Sequence, residues 1–444
     1  MRIEEDAIGS MEIEDECYFG IHTKRAIENF GKRAGITAIE IIEGITIVKR
    51  CAAIANFKAG KMNKEKSDII VKACDLLLNG EKKDSLILPK IQGGAGTSTN
   101  MCVNEIIANI GLEISGNKKG DYSKLSPIED INMSQSTNDV YPTGVKIAVI
   151  KLLRELTEEL KELQTSLQNK EQEFANVYKL GRTQLKDAVP ITLGQEFGAY
   201  AESISRDRWR VYKAEERIRV INIGGTAIGT GVGAPSKYRF AITEELKRYT
   251  GYGVARAENL IDSTQNLDSF VEVSGILKAC AVNLSKITND LRLMDSGPVS
   301  GFSEIELPRL QAGSSIMPNK YNPVGAEYVK QIYFKVSGND QIISCAAAEG
   351  EFELNAMSPL ISEMLIENLN LLVDGVRILN NKVIKGIKAN IDKCRDNMEK
   401  SPSVATLLIE KFGYEELTSI LKESERTGMP YKEIIENRKN KNEK

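Results

Sequence analysis

"VKIAVIKLLRELTEELKELQTSL", residues 145–167, repays reading residue by residue. Val145, Val149, Leu152, Leu156, Leu160, Leu163 and Leu167 recur at steps of three and four, and Glu and Lys fill the gaps. That spacing returns to one face of an α-helix at every turn. It predicts a single amphipathic helix of roughly 25 residues. Three further stretches read the same way. One includes Leu267, Phe270, Ile276, Leu284, Ile287 and Leu291; one runs from about Pro323 toward Ala348; one includes Leu365, Leu369, Leu372, Val376, Leu379 and Val383. Helices of this length need apolar partners along their whole face. The expected fold class is therefore all-α, built on a central bundle of long helices.

The ends differ from the middle. Residues 1 to about 130 show shorter helical segments with many Gly and Asn breaks. From Ser401 onward the helices are short: one after Pro402, one near Glu415, and one starting at Pro430, where proline suits a first helical position. The charged tail "RKNKNEK" is expected to fray. Three parts are expected: an N-terminal, mostly helical domain (1–135), the central bundle (136–395), and a small, shortened C-terminal helical domain (396–444).

Bulk composition narrows the function. The 444 residues are 41% hydrophobic and 27% charged, with net charge −3. That balance offers no electrostatic footprint for nucleic acid or an anionic membrane. The opening "MRIEEDAIGS" lacks the apolar stretch of a signal peptide, and no run is long and apolar enough to span a bilayer. Seven cysteines (Cys17, Cys51, Cys74, Cys102, Cys280, Cys345 and Cys394) form no C-x-x-C pair. They read as reduced thiols in a cytoplasmic protein. The single histidine, His22, decides by subtraction. A zinc site needs several ligands at suitable spacing, and none appears. In any enzyme here, another residue type moves the protons.

Four polar islands interrupt the helical pattern: "QGGAGTSTN" (92–100), "SQSTNDVYPTG" (134–144), "GRTQLKDAVP" (181–190) and "GSSIMPNKYNP" (313–323). Each alone reads as capping and turn chemistry. Together they share neutral hydrogen-bond donors and a few cations, mostly near expected helix starts. Such groups bind carboxylates well, so a small dicarboxylate is a fitting occupant. The glycine run "GGTAIGTGVG" (224–233) lacks the G-K-[ST] ending of a phosphate loop. With no strand-turn-helix setting expected, it reads as a tight turn between helices.

At the four islands the chain resembles the aspartase/fumarase superfamily. "GSSIMPNKYNP" fits the signature G-S-S-x-M-P-x-K-x-N-P in full, and the other three look like the superfamily's active-site segments in the same order. Arg2–Phe30 resembles the opening of aspartate ammonia-lyases. Similarity continues through "TAIGTG", "DLRLMDSGP" and "LPRLQAGSSIMP" to about residue 390. The resemblance implies a three-domain, mostly helical subunit. It also implies a homotetramer with a shared helical core, each active site drawing on three subunits. The implied reaction is reversible deamination of L-aspartate to fumarate and ammonia through an aci-carboxylate carbanion. Fumarases carry His after "GRT", where this chain has Gln184. The alternatives are fumarase, a lyase for another 3-substituted succinate, or a silent scaffold of the lens-crystallin kind.

Residue roles follow the same resemblance. Ser314 is the implied base. Thr97, Ser136, Thr137 and Thr183 match donors to the reacting carboxylate. Asn138 and Gln184 match contacts to the leaving amino group, and Lys320 and Asn322 match the grip on the other carboxylate. A serine hydroxyl serves as a base only if its alkoxide is stabilised, which loop N–H groups and Lys320 would do. No cofactor or resident metal is implied, although Mg²⁺ activates some members. Asn319, Tyr321 and Lys186 depart from the pattern, and the C-terminal part stops short of it.

Overall fold

The computed structural model describes residues 1–442. It is all-α, with four two-stranded β pieces. A hairpin of β1 (Arg2–Asp6) and β2 (Gly9–Ile13) precedes α1 (Ile21–Asn29), α2 (Ile39–Lys58), α3 (Lys64–Leu78) and α4 (Thr97–Ile114). Next come α5 (Thr137–Glu173), the hairpin β3 (Tyr178–Thr183) and β4 (Lys186–Thr192), and α6 (Leu193–Ile218). Strand β5 (Val220–Ile221), α7 (Ser236–Thr250) and β6 (Ala255–Arg256) follow, then α8 (Asp262–Gln265) and α9 (Asp268–Met294). Beyond β7 (Ile305–Glu306) lie α10 (Val324–Ala348), α11 (Ser358–Ile378) and β8 (Lys388–Ala389). Helices α12 (Ile391–Lys400), α13 (Ile409–Phe412), α14 (Tyr414–Thr427) and α15 (Tyr431–Asn442) complete the described chain. Helix α15 runs into the tail expected to fray, whose last two residues lie outside the described ones.

The chain divides into two compact units. The first holds residues 1–159, 207–282 and 331–374; the second holds 160–206, 283–330 and 375–444.

The expected long helices form, and α5 is longer than its apolar spacing predicts, at 37 residues. Its extra first turns are residues 137–144, which the sequence presents as a polar island. All seven apolar positions quoted from its sequence are buried. Sequence periodicity also leaves one long helix out, α6. Its buried stripe runs through Leu193, Phe197, Tyr200, Ile204, Asp207, Val211, Ala214 and Ile218, alternating steps of four and three. A buried Asp207 and the charged run around Trp209 disguise that stripe in the sequence.

In the first unit α2 packs against α3, α4 and α7. Gly44 of α2 meets Gly144 of α5 so closely that a Cβ on Gly44 would overlap the Gly144 carbonyl. The N-terminal hairpin, unforeseen in an acidic stretch, is tied by Asp6. Its carboxylate accepts the N–H groups of Ile8 and Gly9 and a fork from Arg25 at 2.7 and 2.9 Å.

In the second unit α12 packs on β3. The C-terminal helices gather Ile420, Ile434 and Ile435 against Leu408, Phe412 and Tyr431.

Candidate active site

The first two islands meet inside the first unit. Thr97 opens α4 and Thr137 opens α5. Asn100, one turn into α4, donates through Nδ2 to Thr137 Oγ1 at 3.2 Å. Behind them Asn132 Oδ1 accepts from Lys49 Nζ at 2.8 Å, Asn100 Nδ2 at 3.2 Å and Asn104 Nδ2 at 3.3 Å. Burial pulls the Lys49 ammonium down to about 7, with the Asp139 charge opposing. This polar core fixes the two helix starts, whose N–H groups and hydroxyls suit a carboxylate.

Pro142 shapes the second island. A proline inside a helix has no N–H to give the carbonyl four residues earlier, here that of Asn138. Asn222 Nδ2 takes that carbonyl at 3.0 Å. Asn138 Nδ2 donates in turn to Ala227 O at 2.7 Å. Asp139, 0% exposed, accepts the N–H groups of Ser136, Gly224 and Thr226. Burial pushes its carboxyl up to about 6 against those three bonds and the Lys49 charge.

These contacts correct the reading of the glycine run. It lies after strand β5 and before α7, in strand-loop-helix order. The parallel β5–β6 pairing spans only two residues per strand, too short to leave a periodic trace in the sequence.

The third island is a hairpin in the second unit rather than a helix start. Thr183 pairs with Lys186, leaving Gln184 and Leu185 as a two-residue turn. Both are left-handed, with φ of 54° and 61°, the condition for a type I′ turn and one usually met by Asn-Gly. A non-glycine pair there stores strain, which anchoring must offset. The anchor is Arg182, whose fork reaches Glu304 at 2.9 and 2.7 Å. Lys179 joins the same carboxylate at 3.0 Å and Glu196 at 2.8 Å. Burial raises the Glu304 carboxyl, but Arg182 and Lys179 outweigh it and hold the group below the usual carboxylate range.

The fourth island closes on itself. Gly313 N–H donates to Lys320 O at 2.9 Å, and Asn322 Nδ2 donates to Gly313 O at 2.9 Å. A Cβ on Gly313 would overlap that Lys320 carbonyl. Inside the loop, Ser314 Oγ accepts the N–H groups of Ile316 at 3.2 Å and Met317 at 2.9 Å. Lys320 and Asn322 also line a cleft of about 1000 Å³ with Arg292, Arg309 and Asn390. Arg309 stacks over the Tyr321 ring at 4.4 Å, which gives this unusual loop residue a partner.

The candidate residues thus divide by unit. Thr97, Ser136, Thr137 and Asn138 belong to the first; Thr183, Gln184, Ser314, Lys320 and Asn322 belong to the second. Each set is made of polar side chains: hydroxyls and an amide in the first, hydroxyls, amides and the Lys320 ammonium in the second.

Comparison with known proteins identifies the family. A family model described as a lyase matches residues 9–338. The aspartate ammonia-lyase of a Bacillus species is 46% identical over 434 residues, covering 98% of this chain and 93% of the relative. The chain belongs to the aspartate ammonia-lyase family. The Escherichia coli (strain K12) aspartate ammonia-lyase is 42% identical over 440 residues, 98% of this chain and 92% of that one. Among solved structures, a fumarate lyase:delta crystallin from Brucella melitensis bound to cobalt superposes with a TM-score of 0.94. It is 42% identical and covers 98% of this chain and 95% of that one. A class II fumarase from Schistosoma mansoni gives 0.93 at 30% identity, covering 97% and 94%.

Sequence reasoning missed several residues that this lyase places behind its candidate site. Asp139 stands in a quoted island, beside two assigned residues, yet the resemblance gives it no role. Arg182 and Glu304 are 122 positions apart, so no local pattern joins them. Asn222 has one sequence signal: Pro142 leaves a carbonyl that some donor must satisfy.

Proposed function

We propose that this chain is a carbon–nitrogen lyase that converts L-aspartate reversibly to fumarate and ammonia, with Ser314 as the base. The observation that carries the base assignment is the pair of N–H bonds on Ser314 Oγ. Hydrogen bonds to the charged form of a group favour that form. Two donors held 2.9–3.2 Å from Oγ therefore favour the alkoxide over a hydroxyl without them.

The alkoxide takes a proton from Cβ, and the electron pair moves into the β-carboxylate as an aci-carboxylate. That dianionic group needs donors aimed where charge builds, each typically worth about 10²–10³ in rate. Thr97, Ser136, Thr137 and Thr183 fill that role. The pair then forms the Cα–Cβ double bond as the Cα–N bond breaks, and the α-ammonium leaves as ammonia. Asn138 and Gln184 face the amine. Lys320 grips the α-carboxylate together with Asn322. One N–H of the Asn322 amide is spent on Gly313 and the second is available for substrate. Ser314 then returns its proton to solvent.

Gln184 favours an amine over a hydroxyl leaving group, since an amide does not titrate near neutrality. The same proposal includes a homotetramer with sites drawn from three subunits. Val282, Phe334 and Ile342, exposed on long helices, support helix pairing between copies. It also includes the three-part division 1–135, 136–395 and 396–444, and a cytoplasmic location. Seven unpaired cysteines support that location, and no helix of the described residues is long and apolar enough to cross a membrane. Activation by Mg²⁺ finds no cage: among the described residues no three His, Cys, Asp or Glu side chains gather to hold an ion.

Ser314→Ala is the direct test of the base. Turnover should fall at least about 10²-fold, the usual loss on removing a general base, with the helical circular dichroism unchanged. Activity kept within about tenfold would remove Ser314 from that role.

A further inference from the structure

The glycine run Gly224–Gly233 carries no side chain the elimination needs, yet buried polar groups fasten its first residues to the start of α5. Asp139 Oδ1 accepts the Ser136 N–H at 2.9 Å. Its Oδ2 accepts the N–H groups of Gly224 at 3.0 Å and Thr226 at 2.9 Å. Thr226 sits at φ 59°, a left-handed conformation that a threonine adopts only when its surroundings enforce it. Next to it, the Ala227 carbonyl accepts Asn138 Nδ2 at 2.7 Å. Asn222 Nδ2 holds the Asn138 carbonyl at 3.0 Å and reaches Thr264 Oγ1 at 3.0 Å.

Asn138 is therefore gripped at its amide nitrogen and at its backbone carbonyl, both by residues 222–227. A carbonyl can only accept, so Ala227 O dictates which end of the Asn138 amide turns toward the run. The other end, Oδ1, has no donor among the described residues. Presented the opposite way, the amide would aim N–H groups at a substrate ammonium and repel it.

We propose that Asp139 is a positioning residue for the amine side of the site. By stapling the Gly224–Thr226 backbone to the first turn of α5, it sets the Ala227 carbonyl. That carbonyl turns Asn138 Oδ1 outward as the acceptor for the amine nitrogen. The proposal rests on the ammonia-lyase reading and adds a residue that need not touch substrate.

The addition direction separates this role from simple support of the fold, because fumarate and ammonium are then different substrates. Asp139→Asn keeps the size but puts an NH₂ group against one set of N–H donors, so one arm of the staple opens. The KM for ammonium should rise roughly tenfold, as expected for a weakened hydrogen bond to a charged group. The KM for fumarate should stay within about twofold, because Ser136 loses at most one backbone bond to Asp139 while Thr97, Thr183, Lys320 and Asn322 keep their own contacts. An equal rise in both KM values, or a fall in kcat with both unchanged, overturns the proposal. If Asp139→Asn does not fold, Asn222→Ala frees the Asn138 carbonyl from the other side. It should give the same ammonium-selective rise, and an unselective change there overturns the proposal equally. A wild-type enzyme that adds no ammonium to fumarate would instead overturn the ammonia-lyase reading itself.

Discussion

The β3–β4 hairpin and the 313–322 loop both carry candidate catalytic residues in the second unit, and they are built in opposite ways. The hairpin tip holds Thr183 and Gln184 on a strained two-residue turn, and its strand is riveted into the interior by Arg182 on Glu304. The loop is held by its own residues, through the Gly313 N–H on the Lys320 carbonyl and the Asn322 amide on the Gly313 carbonyl, and Ile316 stands 84% exposed on it. A strained turn that must keep donors at fixed points needs a buried anchor. A segment that must admit substrate and then shut out water needs few external ties. The difference predicts that damage to the hairpin will appear in stability and damage to the loop in turnover.

The largest effect expected from that contrast is at Arg182. Arg182→Leu leaves the Glu304 carboxylate buried with only Lys179 as a cationic partner. Losing one partner of a buried pair typically costs about 3–5 kcal/mol. Thermal or denaturant unfolding should show a loss of that order. A loss below about 1 kcal/mol, the scale of an exposed pair, would erase the distinction between riveted hairpin and free loop.

Gly313→Ala tests the other side. The new Cβ overlaps the Lys320 carbonyl that closes the loop, so the Ser314 donors should lose their register. Turnover should fall roughly tenfold, in keeping with a misplaced catalytic group. The melting temperature should move by less than about 2 °C, because an exposed loop contributes little to global stability. A large drop in melting temperature would mean that the loop is as integral to the fold as the hairpin.

The smallest effect sharpens the meaning of a buried pair. Glu304 has two cations on it and titrates low. Glu363, buried with a backbone bond from Ala38, is pushed up to about 7 by its burial. A raised folded-state value contributes stability that is full below the unfolded value, about 4.5, and is lost as pH rises through about 7. Glu363→Gln keeps an acceptor for the Ala38 N–H and removes the titration. The variant should match wild type near pH 4 and melt a few degrees higher at pH 8. An advantage that does not grow with pH would contradict this assignment.

Much of this was legible in the sequence. Val145 to Leu167 announce a long helix because every turn returns an apolar side chain to one face. The four islands are visible because Ser, Thr and Asn have no place on such a stripe. Hidden were features fixed by distant partners. Arg182 finds Glu304 across 122 positions. The heptad-like stripe of α6 contains a buried aspartate, so its apolar period looks broken. Gln184 and Leu185 lack the Asn-Gly signal of a type I′ turn, so the hairpin is concealed. Asp139 carries no sequence signal of its own, and only the fold shows it binding the glycine run.

The most direct measurement is fumarate appearance by ultraviolet absorbance, with L-aspartate and L-malate offered in parallel to the purified protein. Fumarate from L-aspartate, with L-malate inert, is the predicted result. Fumarate from L-malate with L-aspartate inert would contradict the account at its centre, making the leaving group a hydroxyl rather than an amine.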